Sequence, residues 1–494
     1  MRASAPRKNS LSGNKVMMSA FLSISSLLRP CLPPPLEKLC HRLGTNDPTL
    51  KSVDLSRDLE DSFTHEVALS LEENHVVEAL SLSFFSIVDN GAYNIASVLG
   101  DHQTVQKLQV KDMQNQREVN IFFEALAKNR RLIEFSMRHS IICSKGVDSF
   151  GLFLKSHPCL QEIRLTDTRF LGTSFGQMCI QLKHSQTLRR LYLVNNEFEL
   201  RDMFSLKAVL CNMKAPLEEL HLCENNVDDE GISVLAEGLI KNGSLLTLDL
   251  RSNNISNLGA AFIQQVLVVN PKIVHLGLAD NALENAGVAA LARGLRHSYC
   301  GLESLNVAGN GCEEEVAVSL ASMLRYNKSL RELNLSFNPL GDEGVALIAK
   351  ALCRNRYLKK IEMRKTGLTC VGAMAIGANL PRMVALRELI LTRNQVCKRG
   401  SLALLEGLRN NVDLEYLLLE ERMSRGIARD IARFIRLNKA GRRAFRQDNA
   451  IDASLWAPIY SRVALESDLV YYFVKEKPDV IQHPFCQPSP TAQA

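Results

Sequence analysis

One sequence pattern recurs along most of this 494-residue chain at intervals of 27 to 29 residues. From Leu245 to Asn253 the pattern reads L-x-x-L-x-L-x-x-N. Internal repetition of this period is typical of solenoids, in which each repeat buries its apolar side against its neighbours. Extended in both directions, the first apolar position of the pattern falls at Leu50, Val77, Val105, Leu132, Leu160, Leu188, Leu217, Leu245, Ile273, Leu302, Leu330, Leu358, Leu386 and Leu414.

Each repeat combines two different periodicities. The first half alternates apolar and polar residues, as in Leu333-Asn334-Leu335-Ser336, which predicts a short strand. The second half follows helical spacing from a glycine, as from Gly344 to Cys353. We therefore predict an α/β fold, a right-handed α/β solenoid of about 14 repeats with an inner parallel sheet and outer helices. Further helices are expected to begin near Gly231, Gly259, Gly287, Gly372 and Gly400.

An asparagine follows most of the predicted strands. Its side-chain amide can both donate and accept hydrogen bonds, so it can pair backbone groups where the chain turns. In the first five repeats Asp58, Phe85, Met113, Ser140 and Thr168 stand at this position, and position 366 is also threonine, so those repeats are expected to be less regular. The predicted structural asparagine ladder comprises Asn196, Asn225, Asn253, Asn281, Asn310, Asn338 and Asn394.

The pattern resembles that of the leucine-rich repeat family, and its length resembles the 28–29-residue ribonuclease-inhibitor type. The resemblance covers residues 49–441. It implies a curved horseshoe whose concave sheet commonly binds other proteins. It identifies no partner, because one scaffold serves many unrelated functions.

The remaining segments are assigned by composition. Residues 1–35 are predicted to be a disordered leader or a targeting segment, since the first 36 residues hold five bases and no acid. Residues 36–48 are predicted to form an N-terminal capping helix and residues 442–484, with Trp456, a C-terminal helical cap. Residues 485–494 are predicted to be a disordered tail. The longest apolar run, from Val16 to Leu28, is too short to span a bilayer of roughly 30 Å.

The 13 cysteines show no paired spacing. A disulfide scaffold or a zinc module would cluster them, so we predict buried free thiols in a reducing compartment. This favours a cytoplasmic or nuclear location, with import into an organelle through residues 1–36 as the alternative.

No P-loop, G-x-S-x-G, H-E-x-x-H or kinase signature occurs, and the chain is predicted not to be an enzyme and to need no cofactor. Exposed side chains at equivalent strand positions lie about 4.8 Å apart. This spacing places His221 beside Asp249, with Cys223 two residues along the same face. At roughly 6–7 Å from His221, Cys223 is expected to be too distant for a catalytic thiolate. We predict instead a partner-binding concave face formed by Arg164, Tyr192, His221, Asp249, Arg251, Asn306, Asn334, Glu362, Arg364 and Arg393.

Charge is unevenly distributed along the repeats. Residues 216–350 contain 17 acids and nine bases, whereas residues 354–443 contain eight acids and 20 bases. We therefore predict a non-enzymatic interaction scaffold with an acidic middle and a basic C-terminal third, which binds a protein partner through an acidic surface on that partner. Nucleic acid is disfavoured because no aromatic residues alternate with the bases, and no small-molecule substrate or membrane span is expected.

Two alternatives remain open. The first is a GTPase-activating protein for a small GTPase of the Ran type, which has similar repeats and lacks a P-loop. That family usually carries a long acidic C-terminal run, where this chain is basic. The second is a bracing subunit of a larger assembly.

Overall fold

The computed structural model describes residues 33–56, 59–87, 89–296, 300–419 and 424–443, which fall into two compact units. The N-terminal unit extends to Leu160. Its strands β1 to β4 pair in parallel in chain order. Its described elements are α1 (Pro34–Gly44), β1 (Ser52–Leu55), α2 (Thr64–Glu72), β2 (Ala79–Ser83), α3 (Asp89–Asp101), β3 (Lys107–Lys111), α4 (Gln116–Leu126), β4 (Glu134–Ile142) and α5 (Ser144–Ser156), with a 3-10 turn at Asp61–Phe63.

The C-terminal unit starts at Gln161, and its strands β5 to β14 also pair in parallel in chain order. A 3-10 turn at Leu380–Arg382 interrupts the alternation of strand and helix. Its described elements are β5 (Glu162–Phe170), α6 (Ser174–Leu182), β6 (Arg190–Val194), α7 (Leu200–Asn212), β7 (Glu219–His221), α8 (Asp229–Lys241), β8 (Thr247–Asp249), α9 (Asn257–Val269), β9 (His275–Gly277), α10 (Glu284–Gly294), β10 (Ser304–Asn306), α11 (Val316–Tyr326), β11 (Glu332–Asn334), α12 (Gly341–Leu352), β12 (Lys360–Glu362), α13 (Cys370–Asn379), β13 (Glu388–Ile390), α14 (Lys398–Asn410), β14 (Tyr416–Leu418) and α15 (Arg425–Lys439).

The predicted α/β solenoid is confirmed in both units. Each of the fourteen described strands begins two residues after the first apolar position of its repeat. The helices begin slightly earlier than their glycines suggest, since α9 starts two residues before Gly259. A Cβ on Gly259 would lie 2.5 Å from the Asp229 carboxylate, which accepts a hydrogen bond from the Gly259 amide at 2.9 Å. The glycine therefore allows one repeat to cap the helix of the next.

The predicted asparagine ladder is present as a row of hydrogen bonds between neighbouring repeats. Asn253 is 7% exposed, and its Oδ1 accepts from the backbone N–H groups of Asn225 at 3.1 Å and Val227 at 2.9 Å. Its Nδ2 donates to the carbonyls of Leu222 and Leu250, both at 2.9 Å. One side chain therefore satisfies four buried backbone groups in two repeats.

Three of the irregular positions retain part of this pattern. Ser140 accepts a hydrogen bond from the Met113 amide at 3.2 Å and donates to the Arg138 carbonyl. The Thr168 amide donates to Asn196 Oδ1 at 2.8 Å, and the Thr366 amide donates to Asn394 Oδ1 at 2.9 Å. The Thr168 hydroxyl donates to the Thr166 carbonyl at 3.3 Å and the Thr366 hydroxyl to the Met363 carbonyl at 3.2 Å, so a hydroxyl replaces the side-chain amide and forms fewer hydrogen bonds.

A second row of asparagines lies where each helix leads back to the next strand, and sequence reasoning missed it. Asn355 donates from Nδ2 to the Leu324 carbonyl at 2.6 Å, and its Oδ1 accepts from the Leu358 amide at 2.7 Å. The sequence signal is an asparagine three residues before the first apolar position of a repeat. It occurs at Asn74, Asn129, Asn242, Asn270, Asn327, Asn355 and Asn411.

The residue that precedes the ladder position has a left-handed backbone in consecutive repeats. Asp280 has φ 56° and Gly309 has φ 64°. Aspartate and glycine are residue types that tolerate this conformation. Phe337, Lys365 and Arg393 have φ values of 60°, 50° and 62° although their side chains are large. The repeat geometry therefore imposes the turn even where the local sequence does not favour it.

The terminal predictions fall mostly outside the described residues. This holds for the leader up to residue 32, for the C-terminal cap with Trp456 and for the tail at 485–494. At the start of the described residues, α1 buries Leu36 and Leu43 and packs on α2. Among the described helices, none is both long and apolar enough to cross a membrane.

The prediction that the cysteines are free needs correction at one pair. Cys370 and Cys397 form a disulfide, with their Cα atoms 5.4 Å apart. They are 27 residues apart, whereas Leu358 and Leu386 are 28 apart, so the two cysteines lie within one residue of matching positions in adjacent repeats. The other described cysteines are free, but only some are buried as predicted: Cys159 is exposed, Cys40, Cys143, Cys211 and Cys353 are half-buried, and Cys179, Cys223, Cys300 and Cys312 are buried.

Burial should separate the free thiols by reactivity. Burial raises the pKa of the Cys312 thiol to about 12, and the nearby Glu284 carboxylate adds to the shift. Because the thiolate is the reactive form, alkylation of native protein near pH 8 should modify the exposed Cys159 at least about a hundredfold faster than Cys312. Peptide mass spectrometry measures both rates, and denatured protein, in which the two rates should converge, is the control. Equal rates in native protein would contradict the buried position of Cys312.

Candidate functional site on the exposed face of the sheet

The exposed central positions of adjacent strands lie side by side in the C-terminal unit. Arg164 pairs with Tyr192, Tyr192 with His221, and His221 with Asp249. The sequence placed the same residues next to each other, so this register is confirmed. We call the row the central column; it comprises Arg164, Tyr192, His221, Asp249, Gly277, Asn306, Asn334 and Glu362.

The first members of the central column form a stack. The Arg164 guanidinium lies 3.8 Å from the centroid of the Tyr192 ring. The Tyr192 and His221 rings are nearly parallel, with an angle of 18° between them and centroids 4.2 Å apart. A cation over an aromatic face is attracted by the negative charge of that face, so the stack holds three side chains in one orientation.

Carboxylates in the preceding column, two residues before the central one, anchor this stack. Glu162 accepts hydrogen bonds from Arg164 and, at 2.6 Å, from Arg190. Glu219 accepts from the Tyr192 hydroxyl at 2.8 Å, and its Oε2 lies 3.6 Å from His221 Nε2. Sequence reasoning missed both glutamates, although the alternation of exposed and buried residues places them on the same face.

His221 and Arg251 both contact the Asp249 carboxylate. His221 Nδ1 lies 3.4 Å from Asp249 Oδ2, and Arg251 donates from Nε to both carboxylate oxygens at 2.9 Å. Burial acts to raise the pKa of Asp249, but hydrogen bonds from His221 and Arg251 outweigh it and hold that pKa well below its usual range. Asp249 therefore stays ionised.

Cys223 lies closer to this group than its strand position suggested. A ligand atom of Cys223, one of His221 and one of Asp249 all lie within 4.8 Å of one another, because the side chains lean together across β7 and β8. The expected 6–7 Å separation was therefore wrong. Burial, together with the Asp249 carboxylate, raises the pKa of the Cys223 thiol to about 11, which does not suit a catalytic nucleophile at neutral pH.

The later members of the central column form a more polar surface. Asn306 and Asn334 each accept a hydrogen bond from a backbone N–H two residues beyond the end of their own strand, from Ala308 at 3.1 Å and Ser336 at 3.0 Å. With Glu362 they line a shallow cavity of about 140 Å³. Glu362 also binds Lys360 at 2.9 Å and Arg364 at 3.2 Å.

Lys365 and Arg393 are two exposed bases that lie outside these ion pairs. The Lys365 ammonium lies 6.0 Å and the Arg393 guanidinium 5.8 Å from the centroid of the half-exposed Phe337 ring. Among the described residues, no carboxylate lies within 4 Å of either base, whereas Arg387 binds Asp413 at 2.8 Å. Part of the basic charge counted in the sequence is thus neutralised within the fold, and the Lys365–Arg393 pair is not.

The fold and this face define a class, the repeat-built α/β solenoid proteins with an open parallel sheet. The family model described as Leucine Rich repeat matches residues 215–236, 241–263, 269–292 and 326–349. The chain is a leucine-rich repeat protein. Its assignment to the ribonuclease-inhibitor type stays a prediction.

Curated relatives match only short segments. Protein NLRC3 of Mus musculus is 32% identical over 123 residues, which is 25% of this chain and 10% of that protein. The NLR family CARD domain-containing protein 3 of Homo sapiens is 33% identical over 96 residues, which is 19% of this chain and 9% of that protein. The chain therefore spans about a tenth of the length of these relatives.

Two solved structures show low overall similarity to this chain. An internalin from Listeria monocytogenes has a TM-score of 0.40 and 14% identity, covering 78% of this chain and 92% of the internalin chain. A chain from the Rad7 and Elc1 complex in yeast has a TM-score of 0.37 and 16% identity, covering 72% of this chain and 94% of that chain. Similarities at this level support no functional conclusion.

Proposed function

We propose that this chain is a non-enzymatic interaction scaffold that binds an acidic protein surface on the exposed face of its C-terminal unit. Leucine-rich repeats support a binding role, because stacked repeats present long surfaces of regularly spaced side chains. The observation that supports an acidic partner is the pair of bases Lys365 and Arg393. Both are exposed beside Phe337 and lack a carboxylate partner within the described residues.

The rest of the face supports recognition by preorganisation. Arg164, Tyr192 and His221 are stacked, and Glu219 fixes the Tyr192 hydroxyl. Side chains that are already ordered lose less entropy when a partner binds. Aromatic and arginine side chains are also those that most often dominate binding energy at interfaces.

Ion pairs within the fold determine which basic residues can be reversed in charge without disturbing the structure. Arg364 lies 3.2 Å from Glu362, so reversing its charge would place two carboxylates together and disturb the strand itself. Lys365 and Arg393 form no such ion pair among the described residues, and their reversal leaves the internal pairs intact.

The test is a double substitution, Lys365→Glu with Arg393→Glu, in full-length tagged protein. Proteins recovered with the unmodified chain by affinity purification and mass spectrometry are then titrated against both forms. We expect binding to weaken at least about tenfold, with less difference at high salt, because screening weakens charge attraction.

The matched control is Arg354→Glu with Arg356→Glu. These two bases are exposed in the turn between α12 and β12, and their reversal changes the net charge by the same amount. The control should retain binding, and both double variants should keep the parental melting temperature. Unchanged binding by the Lys365 and Arg393 variant would refute the proposed surface.

A further inference from the structure

Three side chains of different donor type converge on β7, β8 and the turn after β7. Ligand atoms of His221, Cys223 and Asp249 lie within 4.8 Å of one another. The imidazole and carboxylate atoms already have the spacing of a metal site, since His221 Nδ1 is 3.4 Å from Asp249 Oδ2. Nitrogen and oxygen ligands about 2.0–2.2 Å from a tetrahedral Zn²⁺ are separated by about 3.3–3.5 Å.

We propose that His221, Cys223 and Asp249 form a three-ligand binding site for Zn²⁺ on the exposed face of the sheet. Imidazole, thiolate and carboxylate are the ligands that Zn²⁺ takes in proteins, and its tetrahedral coordination leaves a fourth position toward solvent. This site lies on the same face as the proposed partner surface, and it shares no residue with the Lys365–Arg393 pair that the partner test changes.

The sulfur is the atom that must move. In a tetrahedral site the Zn–S distance of about 2.3 Å places sulfur about 3.6 Å from the nitrogen ligand. Cys223 Sγ is also 4.0 Å from the Asp249 carbonyl oxygen, so it already faces β8. Metal binding therefore requires the Cys223 side chain to rotate toward His221 and Asp249, over a gap of at most 4.8 Å.

The surroundings of His221 match those of a metal-binding histidine. Such histidines usually direct their second ring nitrogen at a carboxylate, which fixes the ring and leaves the first nitrogen to the metal. His221 Nε2 is buried without a hydrogen-bond partner, and Glu219 Oε2 lies 3.6 Å from it. The Tyr192 hydroxyl binds the same Glu219 oxygen at 2.8 Å and holds this carboxylate in place.

Arg251 is the competitor that metal binding must displace. Its guanidinium binds Asp249 and approaches Cys223 Sγ at 3.9 Å, so it occupies the side where the cation would lie. Half of the Arg251 side chain is exposed, so this side chain can rotate into solvent. On binding, the Cys223 S–H bond breaks, the proton passes to solvent and the sulfur electron pair forms the bond to zinc. The proton that His221 Nδ1 directs at Asp249 is released to solvent while Nε2 takes up a proton and directs it at Glu219, so that the Nδ1 lone pair is free for the metal.

The experiment uses full-length protein stripped with chelator and titrated with Co²⁺, a coloured substitute for Zn²⁺. We expect one equivalent to give the visible bands of tetrahedral cobalt and a near-ultraviolet thiolate-to-cobalt band, which added Zn²⁺ abolishes. Cys223→Ser should remove the thiolate band and weaken Zn²⁺ binding at least tenfold by calorimetry. Glu219→Gln should weaken binding roughly tenfold through its effect on His221.

Further variants separate this site from adventitious thiol binding. Cys159→Ser removes an exposed cysteine elsewhere and should change nothing. Arg251→Met should tighten Zn²⁺ binding about tenfold, because a charge-assisted hydrogen bond no longer competes for Asp249. If the circular dichroism spectrum shows that Cys223→Ser has lost the native fold, His221→Gln provides a second ligand variant. The proposal is overturned if the thiolate band fails to appear, or if it persists in both ligand variants.

Discussion

Replacing Asn253 with alanine should lower the free energy of unfolding by about 4 kcal/mol. The substitution leaves the Asn225 and Val227 amides and the Leu222 and Leu250 carbonyls without their partner. Each buried backbone group left unpaired costs about 1–3 kcal/mol, and water reaching the site recovers part of the total. Urea unfolding followed by far-ultraviolet circular dichroism measures the change.

The neighbouring residue supplies a matched control. Asn254 is exposed, whereas Asn253 is 7% exposed. Asn254→Ala should therefore change stability by no more than about 0.5 kcal/mol, as expected for a surface position. If the two variants unfolded at the same urea concentration, the ladder would not contribute to stability as proposed.

Phe123→Ala should destabilise the N-terminal unit by about 3–5 kcal/mol. Phe123 is fully buried, and its ring centroid lies 4.6 Å from that of Phe150, 5.5 Å from Phe135 and 5.8 Å from Phe153. These residues belong to α4, β4 and α5, so the lost ring leaves a cavity where three elements meet. The neighbours are themselves rigid rings, which fill such a space poorly.

Phe85→Ala is the control for the loss of an aromatic side chain. Phe85 is 85% exposed, so its removal creates no cavity and should leave the urea midpoint nearly unchanged. Hydrogen exchange of the amides in β4 would localise the effect of Phe123→Ala to its surroundings. A loss of stability below 1 kcal/mol would mean that the aromatic cluster repacks.

Periodicity made the fold and part of the face predictable. A fixed interval assigns every strand, and strand alternation then determines that Tyr192, His221 and Asp249 are neighbours. The sequence could not show how far side chains lean, so the distance from Cys223 to His221 was overestimated. It also could not show that Glu362 holds Arg364, because opposite charges two residues apart on a strand are common whether or not they pair.

The second asparagine row was missed for a different reason. Asn355 and its equivalents lie in the connection before each strand, where polar residues are expected in any case. The left-handed turn at Phe337 gave no signal, because that conformation is typical of glycine, asparagine and aspartate. Both features arise from contacts between repeats rather than from preferences within one.

The hydrogen bonds between successive asparagines also restrict how such a chain can change in length. The backbone N–H of Asn196 donates to Asn225 Oδ1, the backbone N–H of Asn225 to Asn253 Oδ1, and the backbone N–H of Asn253 to Asn281 Oδ1. Removing one whole repeat would join two equivalent asparagines and restore the row. Removing half a repeat would place a helical residue where the next asparagine should accept, and one backbone N–H in the row would lose its hydrogen bond. Natural gain and loss of segments in this part of the chain should therefore occur in whole repeats, so that partner specificity can diversify by duplication without a new fold.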